Sequence, residues 1–265
     1  MQHITAKLIS EMATYLITGT AKGLGFELTK QLSELPESQV SKIFAVTRSP
    51  PSTALSDLIT RNNGRIVNII ASVDDTKSVE NAAQEIKGQL GSKGLDVLIN
   101  NAAIQQHSPN NKMEDFSAAD FSRILETNLV GPHRVITAFL PLLRAGTQKK
   151  IINISSTMGS IAWADAMNIA QGSAYKVSKA GLHMLNKQFS LDLAEEGFTC
   201  LLVSPGWLKT DLGTDYGDFT VDVGAAEIKR IVLASTPAQN GKFLNIHVPG
   251  HEKSPGRYDG KEIEW

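Results

Sequence analysis

Cysteine is nearly absent from the sequence: Cys200 is the only one in 265 residues. A single thiol excludes an internal disulfide framework. Its apolar neighbours, FTCLLVSP, suit a buried strand position better than a reactive group. Net charge is also lacking, because 26 basic and 27 acidic residues leave a formal charge of −1. That balance offers no electrostatic footprint for nucleic acid or an anionic membrane surface. No apolar run approaches the roughly 18 residues of a membrane-spanning helix, and residues 1–13 (MQHITAKLISEMA) lack the long apolar centre of a secretory signal. His107 and His133 stand apart from any cluster of cysteine or acidic ligands, so no metal is expected. A cytoplasmic protein with a small-molecule partner is expected, with no nucleic-acid or membrane partner.

What is present is a regular alternation. Short, almost unbroken apolar runs occur at 14–18, 42–47, 65–71, 95–100, 150–155, 198–204 and 242–248. Strands buried on both faces have this composition, and such strands belong to parallel sheets covered by helices. Segments of helical period lie between them at about 23–35, 53–62, 75–89, 117–144, 173–196 and 222–235. The pattern predicts one α/β domain of Rossmann type: a doubly wound parallel sheet of about seven strands with helices on both faces. Its expected limits are 14–265, after an N-terminal arm at 1–13, with substrate loops at 157–174 and 207–220.

Directly after the first strand comes TGTAKGLG, in which Gly19, Thr20, Lys22, Gly23, Leu24 and Gly25 lead into a helix. Glycines allow a tight turn and close approach of the backbone to a ligand, and the free N–H groups at a helix start favour a pyrophosphate. A dinucleotide site is therefore expected here. Sites that select NAD usually place an acid at the end of the second strand to hold the ribose 2′-hydroxyl. This strand ends AVTRSP, so Arg48 stands where that acid would be, and Lys22 adds a second cation. Guanidinium–phosphate bonds are strong and can be bidentate. NADPH/NADP+ is the expected cofactor.

In GSAYKVSKAGL, Tyr175 and Lys179 are four residues apart on a predicted helix, which puts a phenol and an amine on one face. A nearby ammonium would make the phenol a better acid. Taken with TGTAKGLG, NNAA (100–103), TNLVGP around Asn128, INISS (152–156) and SPGWLKTD (204–211), this segment resembles the classical short-chain dehydrogenase/reductases, in the family's order and over about residues 14–248. Within that family the chain is similar to C-factor and sniffer-type carbonyl reductases and to fungal norsolorinic acid ketoreductase-like enzymes. PGWLKTD and Trp265 support that narrower likeness.

The resemblance implies an oxidoreductase with Asn128, Ser156, Tyr175 and Lys179 as its catalytic set. Tyr175 would be the acid, Ser156 the hydroxyl that polarises the carbonyl with Ser155 as the alternative, and Asn128 the holder of a relay water. Lys179 would assist the phenol and hold the nicotinamide ribose. It further implies cofactor contacts at Asn100, Ala102, Pro205, Gly206 and Thr210, beside the glycine loop and Arg48. Ser72 replaces an acid often found near the adenine, which leaves Asp74 or the backbone for that contact. Ala103 replaces a glycine, with slight displacement of its loop expected. Ser156 and Tyr175 are also further apart than the family usually has them, so 160–173 should form a loop over the site, where Trp163 and Met167 either line a pocket or anchor the loop.

The expected activity is NADPH-dependent reduction of a ketone on a small apolar or aromatic compound, with secondary metabolism as a setting. Imine reduction, dehydration or cyclisation on the same scaffold is an alternative, and a non-catalytic dinucleotide-binding regulator is another. The long helices at 117–144 and 173–196 are candidates for homodimer or homotetramer contacts.

Overall fold

A computed structural model describes residues 12–108, 110 and 112–265. Of the N-terminal arm expected over 1–13, residues 1–11 lie outside the described part. Ala13 already belongs to the first strand, so the folded domain begins one residue earlier than the sequence suggests.

The strands are β1 (Ala13–Thr18), β2 (Val40–Thr47), β3 (Ile66–Ile70), β4 (Val97–Asn100), β5 (Lys150–Ile154), β6 (Thr199–Ser204) and β7 (Phe243–Asn245). The helices are α1 (Gly23–Ser33), α2 (Thr53–Arg61), α3 (Thr76–Leu90), α4 (Ala118–Leu125), α5 (Gly131–Ala145), α6 (Ser173–Asp192) and α7 (Val221–Ala234). The strands pair in parallel in the order β3-β2-β1-β4-β5-β6-β7. This is the doubly wound sheet that the apolar runs predict. Strand order reverses between β1 and β4, and ligands of such sheets bind in the crevice beyond the carboxyl ends at that point.

Each face of the sheet carries its own core. Leu28 and Leu32 of α1, Leu55 of α2 and Ile228 of α7 cover Tyr15, Ile17, Ile43 and Val203 on one side. Val79 and Ile86 of α3 and Val135, Phe139 and Leu143 of α5 cover Leu16, Phe44, Leu98 and Ile151 on the other. A rigid sheet clamped on both faces holds the loops at its carboxyl edge in fixed relative positions.

Two elements differ from the sequence pattern. The helix expected over 117–144 contains a π-helical segment, Glu126–Val130, which carries Asn128 between α4 and α5. Such wide turns have no signature in hydrophobic spacing and often occur at functional sites. The last strand is shorter than the run at 242–248, because the chain beyond it folds back antiparallel along its edge. Asn245 N–H donates to Lys261 O (2.9 Å) and Ile263 N–H to Phe243 O (2.7 Å), which covers the open edge of the sheet.

Candidate active site

The glycine loop bridges β1 and α1 at the switch point. Gly19 and Gly23 have φ of +72° and +58°, a region that favours glycine. Gly25 has no room for a side chain, since a Cβ would lie 2.3 Å from Gly19 O and 2.5 Å from Asn101 Nδ2. Helices α2, α3 and α4 begin with side-chain caps from Ser52, Asp75 and Ser117, whereas α1 starts at Lys22 with no side-chain cap and no acid in its first turn. Uncapped N–H groups at a tight glycine turn form a cradle for an anion, so this loop fits the pyrophosphate of a dinucleotide.

Thr18 and Asn101 fasten this loop to the end of β4. Asn101 Nδ2 donates to Thr18 O (2.9 Å) and Gly19 O (3.1 Å). The backbone N–H groups of Asn101 and Ala102 donate to Thr18 Oγ1 at 3.0 and 3.1 Å. Sequence reasoning passed over Asn101, although the paired asparagines after β4 were a signal for it. Asn100, expected beside the adenosine, ends β4 and turns its buried amide along the sheet to Asn153 Oδ1 (2.9 Å).

Arg48 follows β2 and is exposed, and among the described residues it makes no hydrogen bond or ion pair. Thr20 is buried, with its hydroxyl donating to Val46 O (3.1 Å). Lys22, expected to serve a 2′-phosphate, reaches across the cleft to the Asp211 carboxylate, in a pair with both side chains largely exposed. That salt bridge joins the glycine loop to the loop after β6. Asp74 accepts from the hydroxyl of its neighbour Ser72.

The other side of the cleft is built by β5 and α6. The Ser156 hydroxyl neighbours the Tyr175 phenol and favours its ionised form. Ser156 Oγ also accepts from Met158 N–H (3.2 Å) and so caps the turn that follows β5. Lys179 Nζ donates to Ile154 O at 2.8 Å and lies over the Tyr175 ring, 5.4 Å from its centroid. Ser155 faces elsewhere: its hydroxyl is 2.7 Å from His183 Nε2. Of the two serines, Ser156 is the one whose hydroxyl acts on the Tyr175 phenol.

The electrostatics here correct one expectation. The spacing suggested that Lys179 would ease ionisation of Tyr175, yet burial holds this phenol above the ordinary tyrosine value, opposed by the neighbouring Ser156 hydroxyl. Burial likewise pushes the Lys179 amine down to about 7. Two groups desolvated together each favour their neutral form, and the amine is directed at a backbone carbonyl rather than at the phenol oxygen.

Asn128 is held by three bonds. Its Oδ1 accepts from Ile104 N–H (2.8 Å), and its Nδ2 donates to Ile104 O (2.8 Å) and Ser178 Oγ (3.0 Å). The amide ties the segment after β4 to α6, so its side chain is committed to protein partners.

Trp163 and Met167 anchor the 160–173 segment. Trp163 packs with Leu182, Phe243 and Trp265 and lies under the Arg257 guanidinium at 4.7 Å. Met167 is buried, and its carbonyl accepts from Lys176 Nζ (2.8 Å). The loop after β6 is pinned at its base. Phe219 N–H donates to Trp207 O (3.1 Å), Lys209 N–H to Phe219 O (2.8 Å) and the Tyr258 hydroxyl to Asp218 (2.5 Å). Pro205 and Gly206 make the turn into this loop, with Gly206 at φ +80°. Thr210 Oγ1 accepts from Gly213 N–H (3.0 Å), and its methyl faces Gly23.

Residues 13–219 match the profile of the short chain dehydrogenases. The chain belongs to the short-chain dehydrogenase/reductase family. Within it, the short-chain dehydrogenase/reductase AacuF of Aspergillus aculeatus is 35% identical over 238 residues, 88% of this chain and 85% of that protein. C-signal of Myxococcus xanthus is 33% identical over 172 residues, 64% of this chain and 93% of its own. Among solved structures, the NADPH-bound carbonyl reductase from chicken fatty liver aligns at TM-score 0.84 with 29% identity, covering 97% of both chains. Carbonyl reductase Sniffer of D. melanogaster aligns at 0.83 with 30% identity, covering 96% of this chain and all of that one. The family read from the motifs is the family found, and a sniffer-type carbonyl reductase is among its structural neighbours.

Proposed function

We propose that this short-chain dehydrogenase/reductase is an NADPH-dependent ketoreductase acting on a carbonyl of a small apolar or aromatic compound. The observation that carries the reading is the grouping of the Ser156 hydroxyl with the Tyr175 phenol, and of Lys179 Nζ with the same ring, at the carboxyl edge of a switch-point sheet. When bound, NADPH supplies the hydride that reduces the carbonyl carbon. Tyr175, kept protonated by burial, gives its proton to the carbonyl oxygen, and Ser156 donates a hydrogen bond to that oxygen. Lys179 holds the ribose next to the phenol. Asn128 keeps the 104 segment and α6 in register, so that a relay water can lie at its backbone.

Gly19, Gly23, Leu24 and Gly25 cradle the pyrophosphate, and Arg48, with Lys22 once it leaves Asp211, meets the 2′-phosphate. Asp74 and Ala102 would hold the adenine and ribose, and Pro205, Gly206 and Thr210 the carboxamide. Ile161 and Ile169 on one substrate loop and Trp207, Leu212 and Tyr216 on the other expose apolar surface, which suits an apolar substrate.

We assign self-association to α6, where Val177, Met184 and Leu191 recur every seven residues with exposures of 42%, 59% and 59%. No helix among the described residues is long and apolar enough to cross a membrane, and we place the protein in the cytoplasm.

The test is Tyr175→Phe. With a panel of aryl ketones and quinones, consumption of NADPH by the variant should fall by about a thousandfold or more, while NADPH binding persists. Unchanged turnover would remove the phenol from the reaction and the reading with it.

A further inference from the structure

The stripe of α6 that carries Tyr175 and Lys179 continues one turn further to His183, a residue without a part in the reaction so far. Each of the three holds a consecutive position at the end of β5. Lys179 Nζ bonds Ile154 O, His183 Nε2 is 2.7 Å from Ser155 Oγ, and the Tyr175 phenol neighbours the Ser156 hydroxyl. Residues at i, i+4 and i+8 of a helix share a face, so one rigid element grips three successive residues of the strand end. Asn186 extends the contact by accepting from Asn153 Nδ2 at 2.9 Å.

The imidazole is closely caged. The Phe243 ring lies 4.4 Å from it and the Trp265 ring 5.9 Å, both centroid to centroid. On a third side Gly159 comes so near that a Cβ there would be 2.9 Å from His183 Cε1 and 2.7 Å from Lys179 Cβ. Burial, and then the Lys179 charge, push His183 down to about 3, so a neutral ring stands beside the amine. Ser155 and His183 are only 2% and 3% exposed. That burial rules out a serine–histidine nucleophile, which needs access to substrate.

We propose that His183 is a positioning residue: by holding Ser155 it fixes the strand-end backbone, and so sets where the Ser156 hydroxyl meets Tyr175. The inference rests on the ketoreductase reading for its kinetic readout. Its reach is a matter of geometry, because a displacement of about 1 Å at a reacting group costs on the order of a hundredfold in rate.

The experiment compares His183→Leu, His183→Gln and Ser155→Ala with the wild-type chain. Leucine fills space without a polar atom, whereas the glutamine amide reaches the place of Nε2. Using NADPH and 9,10-phenanthrenequinone, His183→Leu should lower kcat by about tenfold to a hundredfold, with the NADPH Kd within about threefold of wild type. His183→Gln should return kcat to within about threefold. Ser155→Ala should reproduce the leucine defect, and combining it with His183→Leu should add little, as expected for two halves of one bond. A second readout needs no turnover: in the NADPH complex of protein labelled with 13C at tyrosine Cζ, the resonance of Tyr175, assigned by Tyr175→Phe, should shift in His183→Leu and Ser155→Ala and return in His183→Gln.

Wild-type kcat in His183→Leu or Ser155→Ala with an unmoved resonance would overturn the inference, as would a glutamine variant no better than leucine. If leucine prevents folding, Ser155→Ala and His183→Gln carry the same comparison. If the wild-type chain turns over no carbonyl compound, the ketoreductase reading fails by itself, and the resonance still decides the positioning role.

Discussion

At the end of β1 the chain presents backbone to the cleft, and at the end of β5 it presents side chains. Gly19, Gly23 and Gly25 leave no side-chain atoms between the start of α1 and a ligand, and the cations nearby, Lys22 and Arg48, are exposed. Across the cleft, Tyr175, Lys179 and His183 are buried and set against three successive residues of one strand end. The first corner is suited to hold an anion, and the second to hold a proton at a chosen atom. Their sensitivities should differ accordingly: the glycine corner to volume and charge, the β5–α6 corner to loss of individual polar atoms.

Lys179→Met tests the second corner most severely. Turnover should fall by about a thousandfold or more, as for a group that acts directly at the reacting atoms. The same variant should change how stability depends on pH. The Lys179 amine lies at about 7 in the folded protein against 10.5 for an unburied lysine, so between these values the unfolded chain binds more protons. Stability of the cofactor-free wild type should therefore rise with pH across that window, the burial cost being fully present below it. Thermal denaturation at a series of pH values from neutrality upward should show this rise reduced in Lys179→Met. Identical slopes would mean that the amine is not desolvated.

Gly25→Ala tests the first corner by volume. The added methyl meets Gly19 O and Asn101 Nδ2 well inside contact distance, and overpacking of this kind costs about 1–3 kcal/mol. The melting temperature should drop by about 5 °C and NADPH affinity by at least about tenfold, read by thermal shift and by nucleotide fluorescence. An alanine variant with native affinity would show that the loop does not approach the cofactor.

Arg48→Asp tests it by charge. Placing an acid where a 2′-phosphate is expected should move the ratio of kcat/KM for NADPH over NADH by about tenfold to a hundredfold toward NADH. A variant that still strongly prefers NADPH would show that Arg48 does not meet the phosphate. The smallest effect is expected at the bridge between the corners. The Lys22–Asp211 pair has side chains 76% exposed on both partners, and exposed pairs contribute little. Asp211→Asn should alter NADPH release by about twofold to fivefold, less at high salt. A change of a hundredfold would make the pair a principal latch on the cofactor.

Much of this was legible in the chain. Seven apolar runs and the helical segments between them state the sheet and its layers, because strands covered on both faces can contain few polar residues. TGTAKGLG and YKVSK state their chemistry locally, since a glycine turn before a helix and an i, i+4 pair depend on neighbours in sequence. The direction of the Asn100 amide was hidden for the opposite reason. Its partner Asn153 is on another strand, and nothing near Asn100 in the sequence shows which way the amide turns. The π-helical turn at Asn128 was equally hidden, since one wide turn leaves hydrophobic spacing nearly unchanged.

The sequence by itself determined the fold class, the glycine turn ahead of α1 and the placing of Tyr175 and Lys179 on one helix face, all of which follow from periodicity and short-range spacing. Tertiary structure alone decided that the Ser155 hydroxyl meets His183, that burial keeps both phenol and amine toward their neutral forms, and that Lys22 turns to Asp211. Those outcomes depend on which distant segments exclude water from a group or offer it a partner. Desolvation and hydrogen bonding act through space, whatever the separation along the chain.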